Sequence, residues 1–349
     1  MAGSGIVGLT IPREDTNDRS YTSPDARRRC RRGFGRSRSV FRSLARGRSR
    51  AGRRQAGAGL LPLQGRQHRG DRHHRRLIRF PVTDGLVLNA GKDEVNGALV
   101  AAFMEKDVYI TPFNPIVVNT GAKLAVIDTG TGEAAYRDSR GANGQFLTNL
   151  AAAGIDAKMV DTVIVSHYHV DHISGLLKAD NSLAFPNAEI LVPAMEHKYW
   201  MDDGEMSRAS TPRIEGVFKN VRRVMRPEVL KRLRTYEWGR EVIPGVPAAG
   251  TPGHTPGHTC HIVTSGASKV YVQGDLTHSP FLFVRNPGWH PFVDHDPVQG
   301  EATRRKVYDM LVAEKMLVQG FHYPFPALAH VERSAAGYRE VPVAWNPTI

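Results

Sequence analysis

With only two cysteines in 349 residues, Cys30 and Cys260, no disulfide framework is indicated. No apolar run reaches the roughly 18 residues of a membrane span, so the chain reads as soluble, with no membrane partner. Lysine is missing from residues 1–80, which carry 21 Arg against 5 Asp/Glu. The remainder holds 26 Lys/Arg and 29 Asp/Glu, so the formal charge of +13 belongs to the N-terminal segment alone. A uniformly basic chain would suggest a nucleic-acid partner. The near-neutral remainder does not, and none is expected. Gly130 and Gly132 have no following Lys, which argues against a phosphate-cradling loop.

Residues 26–54 are mostly Arg, Gly, Ser and Ala, with neither helical nor strand period. Such a segment is disordered by composition. Arg, Gly and Ala also crowd together when GC-rich coding DNA is translated out of frame. Shifting the frame by one base lets residues 59–73 become an alternating, strand-like sequence. Residues 1–77 are therefore read as a disordered or frame-shifted segment, and 78–349 as one catalytic domain. On this reading the first strand of the fold is lost or scrambled. Any N-terminal signal is unreadable, which leaves a cytoplasmic and an exported location both open.

From Phe80 onward the composition is ordinary. Helices are expected over 95–104, 144–153, 214–234 and 299–315. Strands are expected over 108–120, 123–128, 162–166, 188–192, 261–265, 269–273, 316–321 and 338–343. Strands alternating with helices indicate α/β layers. One stretch dominates: residues 163–172, Val-Ile-Val-Ser-His-Tyr-His-Val-Asp-His. Its apolar half is a buried strand, and His167, His169, Asp171 and His172 leave its C-terminal end on a loop. His167 and His169 alternate, so both can point one way, while Asp171 and His172 turn towards a second point. That suits two adjacent metals.

Further candidates stand at later strand ends or loops: His254 in Thr-Pro-Gly-His-Thr-Pro-Gly-His, Asp275 after Gly274, and His322. Partitioned, His167, His169 and His254 serve one metal and Asp171, His172 and His322 the other, with Asp275 bridging. Nitrogen and oxygen ligation suits Zn²⁺, with Mn, Co and Fe open. A metal-bridging hydroxide would be the nucleophile, with Asp171 and Asp275 as the catalytic carboxylates. Asp128 and His258 are placed behind the ligands to orient them. His197, His261, His290 and His295 are expected to be structural, and His330 structural or supporting.

His-Tyr-His-Val-Asp-His, the Thr-Pro-Gly-His loop, Gly274-Asp275 and the late His322 resemble, in order, the motifs of the metallo-β-lactamase superfamily. The Asp128-Thr-Gly turn resembles its early Asp motif. His322-Tyr-Pro-Phe-Pro, Leu183-Ala-Phe-Pro-Asn-Ala and the tail Tyr338-Arg-Glu-Val-Pro-Val resemble the methyl parathion hydrolase-like branch. The resemblance implies a four-layer αββα sandwich with a binuclear site. It also implies hydrolysis of a small-molecule ester, lactone or phosphotriester. The chain departs from that branch at His278, where an apolar residue stands, and at Ser139, where a pocket aromatic stands. Trp200, Phe218, His278 and Phe281 are the pocket candidates. A one-iron persulfide dioxygenase and a β-lactamase are the alternative activities, and a homodimer is compatible with the sequence.

Overall fold

Apolar residues alternate along the strands of the first sheet, and the alternation sorts them into two cores. Ile116, Val118, Ala125, Ile127, Ile164 and Leu191 face inward, against Val246, Ala248, Cys260 and Val263 of the second sheet. Val117, Val126, Val163, Ile190 and Val192 face outward, against helical residues such as Phe146, Leu150, Val217 and Val221. The computed structural model describes residues 59–60, 78–335 and 337–344. The 1–77 segment otherwise lies outside the described residues. So does the segment expected to hold the first strand, apart from Gly59–Leu60.

The first sheet runs Gly59–Leu60, Ile116–Asn119, Leu124–Ile127, Thr162–Ile164, Glu189–Pro193 and Leu233–Tyr236, in that spatial order. From Leu124–Ile127 onward its pairs are parallel, each reached by a crossover. The second sheet runs Glu241–Ile243, Val246–Gly250, Thr259–Ser265, Ser268–Val272, Leu317–Gln319, Leu328–Arg333 and Tyr338–Pro342. Helices Phe146–Ala152, Ala194–Trp200 and Pro212–Val224 cover the first sheet, and Pro297–Glu314 covers the second. The result is a four-layer αββα sandwich. Among the described residues, no helix is long and apolar enough to cross a membrane.

Three expectations need correction. Residues 108–120 are two strands, because Pro112 and Pro115 have no N–H for a ladder. Val108–Thr111 pairs instead with Ile78–Pro81 in a separate two-stranded sheet. The helix expected over 214–234 starts at Pro212, capped by Thr211 Oγ1 accepting from Ile214 N, and ends at Val224. Pro227 opens a new short turn, and residues 233–236 form a strand. The strands at 241–243, 246–250 and 328–333 were not anticipated, since their apolar alternation is short and interrupted.

Candidate metal centre

The strand Leu124–Ile127 delivers Asp128, whose backbone takes a left-handed φ of 60°. From there its carboxylate reaches back across the sheet end. Oδ1 accepts from Ser166 N at 2.8 Å, and Oδ2 accepts from Ser166 Oγ at 2.7 Å. Oδ2 also lies 2.7 Å from His172 Nδ1. Asp128 thus fixes the turn after Thr162–Ile164 and aims His172. Gly175 lets the next loop close on it: a Cβ there would lie 2.0 Å from Thr129 O. Thr129 in turn donates from N and Oγ1 to His172 O. Gly175→Ala should therefore move the turn that carries His172. We expect a stability loss of about 1–3 kcal/mol in denaturant titration and weaker metal binding; wild-type values for both would refute this account.

All seven residues singled out as ligands converge. His167, His169, His254 and Asp275 offer one donor atom each, all within 4.8 Å of one another, and so do Asp171, His172, His322 and Asp275. Asp275 is the member common to both groups. Its Oδ2 is 3.1 Å from His322 Nε2, 3.3 Å from His254 Nε2 and 3.8 Å from His167 Nε2. Its Oδ1 is 3.2 Å from His172 Nε2. His167 Nε2 and His254 Nε2 face each other at 3.2 Å.

Two observations test whether this donor set suits cations. His172 Nε2 and Asp275 Oδ1 are buried yet in no hydrogen bond, because their 3.2 Å approach is off hydrogen-bond geometry. Buried polar atoms without partners are costly, and a cation between them removes that cost. The outer ring nitrogens, by contrast, are engaged. His172 Nδ1 meets Asp128, and His254 Nδ1 meets Asp294 Oδ1 at 2.9 Å. His322 Nδ1 meets Pro112 O at 2.9 Å and Thr111 Oγ1 at 3.0 Å, and His167 Nδ1 meets Ser166 Oγ at 3.0 Å. Held this way, four imidazoles turn Nε2 inward, as metal-ligating histidines do. The residues fit two divalent ions.

The electrostatics agree. Burial holds His167 and His169 well below the ordinary histidine range, with the neighbouring imidazoles adding to it. Burial also opposes charge on His172, His254 and His322, but the carboxylates outweigh it. Asp275 and Asp128 raise His172 well above its usual range. Asp275 and Asp294 lift His254 to about 9, and Asp275 and Asp171 raise His322. Burial pushes Asp275 up, and His322 and His172 overcome it, holding the carboxyl well below its usual value. The surroundings of Asp275 favour positive charge.

His258 sits behind the cluster. Its Nε2 accepts from Asp275 N at 3.0 Å, and its Nδ1 lies 2.8 Å from Thr251 Oγ1. His197, His261, His290 and His295 each have a partner away from the cluster: Tyr168, Tyr236, Glu301 and Tyr199. His330 is exposed on the strand Leu328–Arg333 and supports nothing in the site.

Above the cluster opens a cavity of about 580 Å³. His169, Asp171, His254, Asp275 and His322 form its floor, and Ile78, Phe80, Phe113, Phe283 and Phe292 are among its apolar walls. Of the four pocket candidates, only His278 lines it. Its Nε2 is 3.3 Å from Asp275 Oδ2, and its ring stacks on His322 at 5.0 Å and 15°. Trp200 and Phe218 are buried in the core outside the first sheet, at 1% and 0% exposure. Trp200 is held there because its indole N–H donates to Glu196 Oε1 at 2.8 Å. Phe281 is half-buried under the Arg285 guanidinium; its neighbour Phe283, two residues on in the same helical turn, faces the cavity instead.

Sequence reasoning also missed Glu196, Asp294 and Arg304. Glu196 is fully buried and accepts four hydrogen bonds of 2.8 Å, from Tyr168 N, Trp200 Nε1, Thr255 Oγ1 and Gly257 N. Its one sequence signal was a carboxylate spaced i,i+4 from Trp200.

Comparison with known proteins agrees with this geometry. The profile of the Metallo-beta-lactamase superfamily matches residues 112–316. N-acyl homoserine lactonase AiiA of Bacillus thuringiensis subsp. kurstaki is 25% identical over 210 residues, which cover 55% of this chain and 74% of that protein. Two solved structures superpose with a TM-score of 0.70, each covering 77% of this chain and 92% of the other. One is AidC, a dizinc quorum-quenching lactonase in complex with a product, at 25% identity. The other is the hydrolase AbOPH of the beta-lactamase superfamily, at 26% identity. Motif order, sandwich and profile coincide, and the chain belongs to the metallo-beta-lactamase superfamily.

Proposed function

We propose that this protein is a binuclear metal-dependent lactonase that opens neutral lactones carrying an apolar acyl chain, with zinc as its metal. The observation that carries the reading is the pairing of two donor groups, sharing Asp275, with a largely apolar cavity directly above them. His167, His169 and His254 would hold one ion and Asp171, His172 and His322 the other. Bound there, two divalent ions supply Lewis acidity towards a carbonyl and lower the pKa of water towards neutrality.

The chain's own residues do the rest. Asp275 fixes the separation of the two centres. Asp171, with a fifth of its side chain exposed at the cavity floor, is placed to take a proton from the attacking water and pass it to the alkoxide that leaves when the acyl–oxygen bond breaks. His278 stands beside Asp275 within reach of a substrate oxygen. The apolar walls bind the acyl chain and exclude water.

Among the described residues, the cavity wall includes no Lys or Arg. A β-lactam carboxylate or a nucleic-acid phosphate would find no cationic side chain there beyond the metal ions, which weighs against both. Two complete donor groups weigh against a one-iron dioxygenase. A second reading, phosphotriester hydrolysis as in the methyl parathion hydrolase-like branch, is favoured by His322-Tyr-Pro-Phe-Pro and the terminal strand, and by the same uncharged cavity.

Zinc-reconstituted protein should open N-acyl homoserine lactones, faster as the acyl chain lengthens, and leave a cephalosporin intact. Chelation should abolish turnover, and zinc should restore it. A phosphotriester turned over at least about tenfold faster, a 1.4 kcal/mol preference, would move the assignment to the second reading. One iron per chain and no hydrolysis would overturn both.

A further inference from the structure

Arg304 is 1% exposed, on the inner face of the helix Pro297–Glu314. Its guanidinium has two kinds of partner. Nη2 donates to Asp294 Oδ2 at 3.1 Å, and Asp294 Oδ1 in turn meets His254 Nδ1 at 2.9 Å. Nε donates to Leu276 O at 3.1 Å, and Nη1 donates to Pro287 O at 2.8 Å and to Trp289 O at 3.3 Å. The first set ends on an imidazole of the candidate metal centre. The second grips the segment 276–289, which together with residues 290–293 supplies His278, Phe283 and Phe292 to the cavity.

The His254 loop is seated on the same helix. Asp296 N donates to Gly253 O at 2.8 Å, Thr303 Oγ1 donates to Pro252 O at 2.8 Å, and a Cβ on Gly253 would lie 2.3 Å from Gly300 N. A planar, always-charged group with its donors in a fixed fork is suited to hold a carboxylate and several carbonyls in one geometry. In a buried site, removing one charge of such a pair is costly unless the other keeps further hydrogen bonds, as Arg304 does to its three carbonyls.

We propose that Arg304 is a positioning residue that couples metal loading at the His254 centre to the order of the cavity wall. It acts through Asp294 on one side and through three wall carbonyls on the other. An ion that takes up His254 Nε2 fixes the imidazole. The imidazole N–H then fixes Asp294, and Asp294 fixes the guanidinium against the wall. The proposal rests on reading His254 as a metal ligand.

The test measures zinc affinity by chelator competition and amide exchange of residues 276–293, each with and without zinc. In the wild-type protein, zinc should slow exchange of that segment. Asp294→Asn leaves the three carbonyl bonds in place. It should weaken zinc binding about 10–100-fold and abolish the zinc response of the segment, with metal-free exchange unchanged. Arg304→Met should weaken binding by a similar factor and speed exchange in both states. Arg304→Lys keeps the charge without the fork, so affinity should recover towards wild type while the segment stays fast.

If Arg304→Met does not fold, Asp294→Asn and Arg304→Lys still decide the matter. Wild-type zinc affinity in Asp294→Asn, or an intact zinc response there, overturns the coupling. A wild-type protein that binds zinc with no change in the segment overturns the coupling alone. One that binds no metal at all overturns the ligand reading beneath it as well.

Discussion

Asp275→Ala should lose both metal ions and nearly all activity. The residue is the only donor common to both groups, and its two oxygens face five imidazoles between them, His278 included. Losing an outer hydrogen-bond partner of a metal ligand costs about 10–100-fold in affinity or activity. Removing a donor shared by two centres should cost kcat/KM well over that, on the order of 10⁴-fold, or about 5 kcal/mol of transition-state stabilisation. The substitution also takes from His172, His254 and His322 the carboxylate common to all three, leaving His172 with Asp128 and Asp171, His254 with Asp294 and His322 with Asp171. His254→Ala is the control, because His254 belongs to only one of the two groups that share Asp275. It should drop the metal content from two to one. Elemental analysis of the two variants separates the outcomes. Two metals retained in Asp275→Ala, or activity within tenfold of wild type, would sink the shared-carboxylate account.

The site was legible in the sequence to the extent that its donors are local or end a strand. His167 to His172 announce themselves because a strand, a short loop and then the helical turn Val170–Ile173, rather than a loop throughout, bring their side chains together. Asp275 and His322 could be found because apolar runs stop just before them. The support for these donors was not legible. Asp294 reaches His254 across 40 residues, and Arg304 completes that contact from a helix. No periodicity encodes such a pairing. The pocket fared worst, since an aromatic residue reads alike whether it packs in a core or lines a cavity. Trp200 and Phe218 follow the helical spacing that buries them under the first sheet, and cavity aromatics come instead from the short strands 78–81 and 108–111 and the single helical turn at 280–284. In the fold, long strands bounded by turn residues were readable. The three-residue strand Glu241–Ile243 was not, because its pairing with Val246–Gly250 is decided by a tight turn rather than by pattern.

Glu196→Ala should be the most damaging substitution outside the donor set. The carboxylate joins two loops that carry candidate metal donors, reinforcing the backbone bond between them that Thr259 N donates to Ser166 O at 3.1 Å. Oε1 accepts from Tyr168 N, between His167 and His169, and Oε2 accepts from Thr255 Oγ1 and Gly257 N, beside His254. Burial pushes the Glu196 carboxyl up from its ordinary range, and the four donors offset only part of that push. With the carboxylate gone, four buried donors lose their acceptor at about 1–3 kcal/mol each before relaxation or water entry. A net loss of about 3–5 kcal/mol is expected, the range for breaking a buried charged contact from one side. That corresponds to a melting temperature lower by roughly 5–10 °C for a domain of this size. Glu196→Gln keeps the shape and half the acceptors, so it should lose less. Its amide would face Gly257 N–H, where a Cβ on Gly257 would already lie 2.2 Å from Glu196 N and no shift of that loop is free. Because Glu196 touches no donor atom of the cluster, a purely structural part predicts lower stability with zinc affinity intact. The clip between loops predicts that both fall, and that saturating zinc recovers part of the lost melting temperature by mass action. Calorimetry with and without zinc decides between them, and an unchanged zinc affinity in a destabilised Glu196→Ala would reduce the residue to core packing.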